Sequence, residues 1–316
     1  MRIVFMGTPD FAVPSLEALL TSDDQVVGVV TQPDRPKGRG QEVIPSPVKV
    51  VCLREGISLL QPLKMKDPDF LEALRQWKPD VITVTAFGRI LPPEILTLPP
   101  RGCINVHGSL LPKYRGAGPV QWAVIRGERE TGITTMLMDE GMDTGAMLLR
   151  ERVVIQPDDT TGTLSMRLAE VGGRLLIETL RRLKAGTLTP QQQNHALATM
   201  APLLKKEDGL IDWTLTSVEI ANRVRGLSPW PGAYAYVNGE RWILRRVVVG
   251  EGSQGAAPGI MTKVTKDRID VATGDGTIQI VEIQPSNGRP MTMAQYLAGH
   301  RLTEGTSLQA GPPAQG

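Results

Sequence analysis

Apolar and polar positions change their period along the chain, and the change divides it. In the first half, short β-rich runs at Ile3 to Met6, Val26 to Thr31, Val81 to Thr85 and Cys103 to Val106 alternate with stretches at helical spacing. That alternation predicts an α/β fold, a mostly parallel sheet flanked by helices. Asp67-Pro68 supplies a helix N-cap followed by proline at the first helical position, and Phe70, Leu71, Leu74 and Trp77 carry the helix on; Ser46-Pro47 repeats the same start. Leu164, Leu168, Val171, Leu175 and Leu176 form one apolar stripe, which predicts a helix from Thr163 to Lys184 with Gly186 near its end. Beyond Thr187 the periodicity gives way to Gln, Pro and small residues, the pattern of a tether. Thr216 with Glu219 then makes a capping box, and Val237-Asn238-Gly239-Glu240, set among Tyr234, Tyr236, Trp242 and Leu244, is a hairpin signal. Further β-like runs at Gly259 to Val264, Ile269 to Ala272 and Thr277 to Ile283 bring the total to about five short strands, enough for a small barrel. The expected organisation is a domain over 1–189, a linker over 190–208, a second domain over 209–304 and a fraying tail over 305–316.

Length agrees with two domains, since 316 residues exceed what one core usually organises. A chain that is 41% hydrophobic and 22% charged has the apolar residues for real cores. The formal charge of +2 means that a polyanionic partner must be held by a local patch. From Gly209 onward there are ten Lys/Arg and nine Asp/Glu, a net of +1, so the second half is not broadly basic either. Cys52 and Cys103 are too few for a disulfide framework or a four-thiolate zinc site and sit among apolar neighbours like buried thiols. With no signal-peptide or membrane-spanning run, the expectation is a cytoplasmic protein without a membrane partner, and a monomer.

The stretch Ile104-Asn105-Val106-His107-Gly108-Ser109-Leu110-Leu111-Pro112 falls at the carboxyl end of a predicted strand, where open α/β sheets place ligands. Strand alternation puts Asn105 and His107 on one face, an amide and an imidazole side by side. An amide donor stabilises an oxyanion and an imidazole shuttles a proton, so the pair suits attack on a carbonyl; a structural histidine at a strand end is the alternative. His195 in the tether and His300 near the tail, the other two histidines, stand in segments with little sign of a packed site. Met138-Asp139-Glu140-Gly141-Met142-Asp143-Thr144-Gly145 follows a β-like run, and Asp143 there could orient a histidine or sit in a plain surface turn. An aspartic protease needs two such carboxylates, and this chain has one Asp-Thr-Gly. The loop Thr31-Gln32-Pro33-Asp34-Arg35-Pro36-Lys37-Gly38-Arg39-Gly40 spaces three basic side chains two apart, as a phosphate-binding loop or a solvated one would. Gly7-Thr8-Pro9-Asp10 stands at a mononucleotide-binding position, but the dinucleotide and P-loop glycine patterns are absent, as are the serine-hydrolase elbow and the zinc-protease motif.

These blocks together resemble the bacterial methionyl-tRNA formyltransferases along nearly the whole chain. The resemblance rests on Gly7 to Ala12, Thr31 to Pro36 with Gly38-Arg39-Gly40, Ser46-Pro47-Val48-Lys49, Asn105 to Pro112, and Tyr114-Arg115-Gly116-Ala117 with Pro119 and Gln121. It continues through Glu130-Thr131-Gly132, Met138-Asp139, Asp143-Thr144-Gly145, Ile211-Asp212-Trp213 and Pro229 to Tyr234. It implies a Rossmann-like catalytic domain followed by an OB-like one, and transfer of the formyl group of 10-formyltetrahydrofolate to the α-amine of methionyl initiator tRNA without a metal. It further implies Asn105, His107 and Asp143 as the catalytic set. Ser109, Leu110, Leu111 and Pro112 would contact folate, with Phe87 and Gly88 at the pteridine pocket. Arg89 departs from the family's pattern and takes no role. Arg35, Lys37 and Arg39 would meet the acceptor arm, and the second domain the inside of the tRNA; Arg241, Arg245 and Arg246, with Lys263 and Lys266, are the candidates for that contact, with solvated strand edges as the alternative. Two rivals share these residues: a formyltransferase acting on a sugar nucleotide or purine precursor, and a non-catalytic RNA-binding protein built on the same scaffold.

Overall fold

The structure is a computed structural model, and it describes residues 1–37, 42–252, 255–286 and 288–309. The chain forms two compact units. The first comprises Met1–Pro119, Glu130–Val154 and Ser165–Pro202; the second comprises Val120–Arg129, Ile155–Leu164 and the chain from Leu203 onward.

In the first unit the elements run β1 Arg2–Gly7, α1 Val13–Leu20, β2 Gln25–Val30, β3 Arg35–Lys37, β4 Glu42–Ile44, α2 Pro47–Glu55, β5 Leu59–Leu60, α3 Pro68–Gln76, β6 Val81–Thr85, α4 Pro93–Leu96 and β7 Cys103–His107. After α5 Pro119–Ile125, which belongs to the second unit from Val120 on, come β8 Glu130–Leu137, β9 Met147–Val154 and α6 Thr161–Ala185, whose first residues to Leu164 also belong to the second unit. The main sheet has the order β5-β2-β1-β6-β7-β8-β9, parallel from β5 to β7 and antiparallel at β8 and β9. Strand β6 is buried at every position and β1 at all but Arg2, as strands covered on both faces must be. The predicted starts of the flanking helices are present. Asp67 accepts hydrogen bonds from the Asp69 and Phe70 amides, Ser46 accepts one from the Lys49 amide, and Gly186 takes φ +66° just past α6. The connections from β1 reverse direction between β1 and β6, so the loops after β1, β2, β6 and β7 gather at one edge of the sheet.

The second unit contains α7 Ser217–Gly226, β10 Ala233–Val237, β11 Glu240–Gly250, β12 Met261–Val264, β13 Ile269–Ala272, β14 Thr277–Pro285, β15 Met291–Thr292, α8 Met293–Leu297 and β16 Leu308–Gln309. The expected Thr216–Glu219 capping box opens α7, and Asn238 and Gly239 turn the β10–β11 hairpin at φ +49° and +82°. Strand order is β12-β13-β14-β11-β10-β16. An antiparallel bridge from Ile260 to Ser307, with the Leu308 amide donating to Gly259 O at 2.7 Å, joins the two ends into a small OB-like barrel. Trp242, Leu244, Ile269, Ile280 and Ile283 fill it.

Three expectations change. The stretch over 190–208 is not a free tether: Gln191 pairs with Met147, and Arg115 exchanges backbone hydrogen bonds with Thr199 and Ala201. Up to Pro202 its lack of periodicity reflects an extended segment within the first unit, where long-range pairing replaces an apolar stripe. The tail over 305–316 does not fray at its start, because Leu308 is 2% exposed and closes the barrel; 310–316 lie outside the described residues. The first domain is also not continuous over 1–189. Val120–Arg129 and Ile155–Leu164 join the second unit, where Ile125 packs on Gly226, Thr161 Oγ1 donates to Gly226 O and Arg225 donates to Gln156 O and Asp159 O. Local periodicity states that a residue is buried, not which core receives it.

Candidate active site

Strand β7 ends at His107, between β6 and β8, with Asn105 opposite Val84 on one side and Met136 on the other. The loop that follows β7 folds back under internal hydrogen bonds. Ser109 Oγ donates to Lys113 O at 2.6 Å, Thr134 Oγ1 donates to Ser109 O at 2.7 Å, and the Leu111 amide donates to Thr134 Oγ1 at 3.1 Å. This brings Tyr114 O to 2.9 Å from His107 Nε2. A carbonyl only accepts, so Nε2 carries the hydrogen in this contact and Nδ1 faces the other way. There it meets Asp143 Oδ2 at 3.6 Å, with His107 and Asp143 side chains 5% and 17% exposed. Asn105 Nδ2 makes a long contact of 3.5 Å with the other carboxylate oxygen, and the Gly116 amide donates to Oδ2 at 2.8 Å. The three residues singled out from sequence therefore converge on one carboxylate.

Asp143 reaches this position through a constrained turn. Its backbone is left-handed at φ +54°, a conformation that is costly for a residue with a Cβ. Thr144 Oγ1 and the Gly141 amide both donate to Asp139 Oδ1, and a Cβ on Gly145 would stand 1.8 Å from Leu137 O, so only glycine lets the turn close on β8. Gln193 holds the turn from outside. Its Nε2 donates to Asp143 O and to Gly145 O, each at 2.8 Å, while its Oε1 accepts from Arg115 Nε at 3.1 Å and Nη2 at 2.7 Å. Arg115 Nη2 also lies 3.1 Å from His195 Nδ1. Gln193 and Arg115 are 4% and 6% exposed. Sequence reasoning missed Gln193 and set His195 apart because both stand in the segment read as a tether; the remaining signal was the Tyr114-Arg115-Gly116 block, whose buried cation requires an acceptor.

The other expected contacts divide. Leu110 and Pro112 are half-buried, and Gly88 is exposed at φ +74°. Leu111, Phe87 and Ser109 are different: Leu111 packs on Met136 and Met147, Phe87 is 3% exposed in the core, and the Ser109 hydroxyl is turned onto its own loop. The side chains of these three are therefore engaged inside the protein. Arg89 donates to Leu63 O at 2.7 Å. A cleft of about 530 Å³ lies beside this loop, lined by Lys64, Met65, Lys66, Ile90 to Pro93 and Glu140. Arg35 and Lys37 fall in β3, which pairs with β4, and Arg39 lies outside the described residues. In the second unit, Arg241 and Arg245 alternate with the buried Trp242 and Leu244 and so face outward from β11; Arg241 stacks over the Tyr234 ring at 3.9 Å, Arg245 binds Gln284, and Arg246 is exposed. Among the described residues no group of three or more His, Cys, Asp or Glu is arranged to hold a metal, and no helix is long and apolar enough to cross a membrane.

Comparison with known proteins gives this geometry a family. The profile of the Formyl transferase family matches residues 1–180, and that of the Formyl transferase C-terminal domain matches residues 203–301. A methionyl-tRNA formyltransferase of Desulfotalea psychrophila is 52% identical over 98% of this chain and 96% of its own; one of Caldanaerobacter subterraneus is 50% identical over 98% and 100%. Among solved structures, an N-formyltransferase of Helicobacter canadensis, in complex with folinic acid and dTDP-3-aminofucose, shares the fold with a TM-score of 0.67 at 20% identity, covering 89% of this chain and 98% of its own. HypX of Aquifex aeolicus with tetrahydrofolic acid gives 0.61 at 17%, covering 98% and 51%. The chain belongs to the formyl transferase family, within the branch of the methionyl-tRNA formyltransferases.

Proposed function

We propose that this protein transfers the formyl group of 10-formyltetrahydrofolate to the α-amino group of methionyl initiator tRNA in the cytoplasm, with Asn105, His107 and Asp143 as its catalytic residues. The observation that carries the chemistry is the convergence of an amide, an imidazole and a carboxylate at the carboxyl edge of the sheet. The donor is a substrate, and the half-buried Leu110 and Pro112 with the exposed Gly88 offer the apolar and backbone surface that suits a flat heterocycle.

The neutral amine of the methionyl group attacks the formyl carbon. A carbon–nitrogen bond forms and the carbonyl pair moves onto oxygen. Asn105 has a second amide hydrogen beyond the one directed at Asp143, and it donates to that oxyanion. The proton lost by the amine enters between His107 Nδ1 and Asp143 Oδ2, where imidazole lone pair and carboxylate face each other. Collapse breaks the bond to folate N10, whose electron pair takes the same proton, and tetrahydrofolate leaves. No electrons are gained or lost overall. Gln193, through Asp143 O, keeps the carboxylate on this path. Arg35 and Lys37 of β3, Arg39 and the basic residues of β11 meet the tRNA through its phosphates, and the enzyme works as a monomer.

The test is to supply 10-formyltetrahydrofolate with methionyl initiator tRNA, methionyl elongator tRNA or free methionine and detect formylmethionine by mass spectrometry. Product confined to the initiator tRNA is the expected result. A small amine formylated efficiently without tRNA would overturn the acceptor assignment.

A further inference from the structure

The hairpin of β3 and β4 leaves and re-enters the first unit at one polar cluster. Asp34 immediately precedes β3, and Ser46, two residues past β4, caps α2. Asp34 is bound by Lys49 Nζ from the first turn of α2, and Gln61 Nε2 donates to its other oxygen at 3.0 Å. Lys49 Nζ also donates to Gln61 Oε1 at 2.8 Å. The Lys49 and Asp34 side chains are only 22% and 18% exposed, so this pair is shielded from the solvent that weakens surface ion pairs. Gln61 Nε2 donates in addition to Gln32 O at 2.9 Å, and Gln32 Nε2 donates to Phe87 O and Gly88 O at 2.9 and 3.0 Å. One network thus holds the hairpin stem at one end and the Phe87-Gly88 loop at the other.

We propose that Lys49 is a positioning residue for the acceptor, fixing through Asp34 the direction in which the Arg35–Ile44 hairpin leaves the sheet, while Gln32, at the far end of the same network, positions the Phe87-Gly88 loop for the donor. This rests on the function proposed above. The division follows from the bonds: loss of the Lys49 ammonium frees Asp34 and Gln61 but leaves both Gln32 side-chain bonds intact, whereas loss of the Gln32 amide frees Phe87 and Gly88 but leaves Asp34 clamped. Because neither Lys49 nor Asp34 is bonded to Asn105, His107 or Asp143 in this network, misdirecting the hairpin weakens acceptor binding without touching the chemical step.

The experiment measures kcat, the KM for methionyl-tRNA and the KM for 10-formyltetrahydrofolate in Lys49→Met, Lys49→Arg, Asp34→Asn and Gln32→Leu, with a melting curve for each. Lys49→Met and Asp34→Asn raise the acceptor KM about tenfold with kcat and donor KM within about twofold, and Lys49→Arg recovers most of the loss. Gln32→Leu raises the donor KM and spares the acceptor. If both KM values move together in every variant, or if folded Lys49→Met and Asp34→Asn keep the wild-type acceptor KM, the positioning role is wrong and the cluster is only structural. Asp34→Asn removes the charge without changing shape, so it carries the test if Lys49→Met does not fold. A wild-type protein that formylates no tRNA would instead refute the underlying function, and this inference with it.

Discussion

Gln193→Leu removes an amide whose polar atoms are all engaged and replaces it with a side chain of similar size. Two carbonyls, Asp143 O and Gly145 O, lose a 2.8 Å donor, and one edge of the Arg115 guanidinium loses its acceptor, all where Gln193 is 4% exposed. At about 1–3 kcal/mol for each group left unsatisfied, and allowing for the contact with His195 that Arg115 keeps, the loss comes to roughly 3–5 kcal/mol. In a unit of this size that lowers Tm by about 6–20 °C. The catalytic effect has a separate origin. Asp143 is held at φ +54° against a conformational preference of roughly 1–2 kcal/mol, and without the bond to its carbonyl the turn relaxes. Its carboxylate then keeps only the Gly116 amide and the long Asn105 contact, and the 3.6 Å approach to His107 is lost part of the time. Single-turnover formyl transfer should fall by about 10–100-fold. Since Gln193 acts through Asp143, adding Gln193→Leu to Asp143→Asn should slow the reaction no further. A Gln193→Leu protein that melts within about 1 °C of wild type and reacts at its rate would refute the reasoning.

Gly145→Ala drives a methyl group to within 1.8 Å of Leu137 O, so β8 and the Asp143 turn must separate; more than about 3 kcal/mol of stability and most activity should be lost, read by chemical denaturation and turnover. Burial pushes the Cys52 thiol up to about 11 and the Cys103 thiol up to about 12, so at pH 8 iodoacetamide should modify both at less than about one-hundredth of the rate seen in the unfolded chain, by mass spectrometry; equal rates would contradict their placement. The hydrogen bond from Lys49 holds the Asp34 carboxyl below the usual carboxylate range, so its stabilisation is complete above the unfolded value of about 3.9 and disappears as pH falls through the lowered folded one. The Tm gap between wild type and Lys49→Met should accordingly be open at pH 7 and close on acidification below about pH 4; a gap that persists at low pH would show that the ion pair is not its source.

The parts of this molecule legible in its sequence are those that local chemistry dictates. Asp67, Ser46 and Thr216 announce helix starts because a capping side chain acts within three residues. Asn105 and His107 could be paired from strand alternation alone, and Asp143 was legible as a turn carboxylate. What brings Asp143 to His107 was not legible: it depends on Gly145 closing against Leu137 and on Gln193 arriving after Gln191 pairs with Met147. Residues from segments well separated in the chain meet there with no periodic signature to advertise it. The same blindness placed Ile125 and Thr161 in the wrong unit and left Leu308 out of the barrel it closes.

The central claim is that His107, backed by Asp143 and Asn105, moves the proton of formyl transfer to an aminoacyl-tRNA amine. It is tested most directly by single-turnover formylation of methionyl initiator tRNA by His107→Ala, with tRNA and folate affinities measured on the same preparation. The account predicts a folded protein with both affinities within about threefold of wild type and a transfer rate lower by about 10²–10⁴. A transfer rate within about threefold of wild type would contradict it, because the proton would then be moving by a route that does not pass through this imidazole.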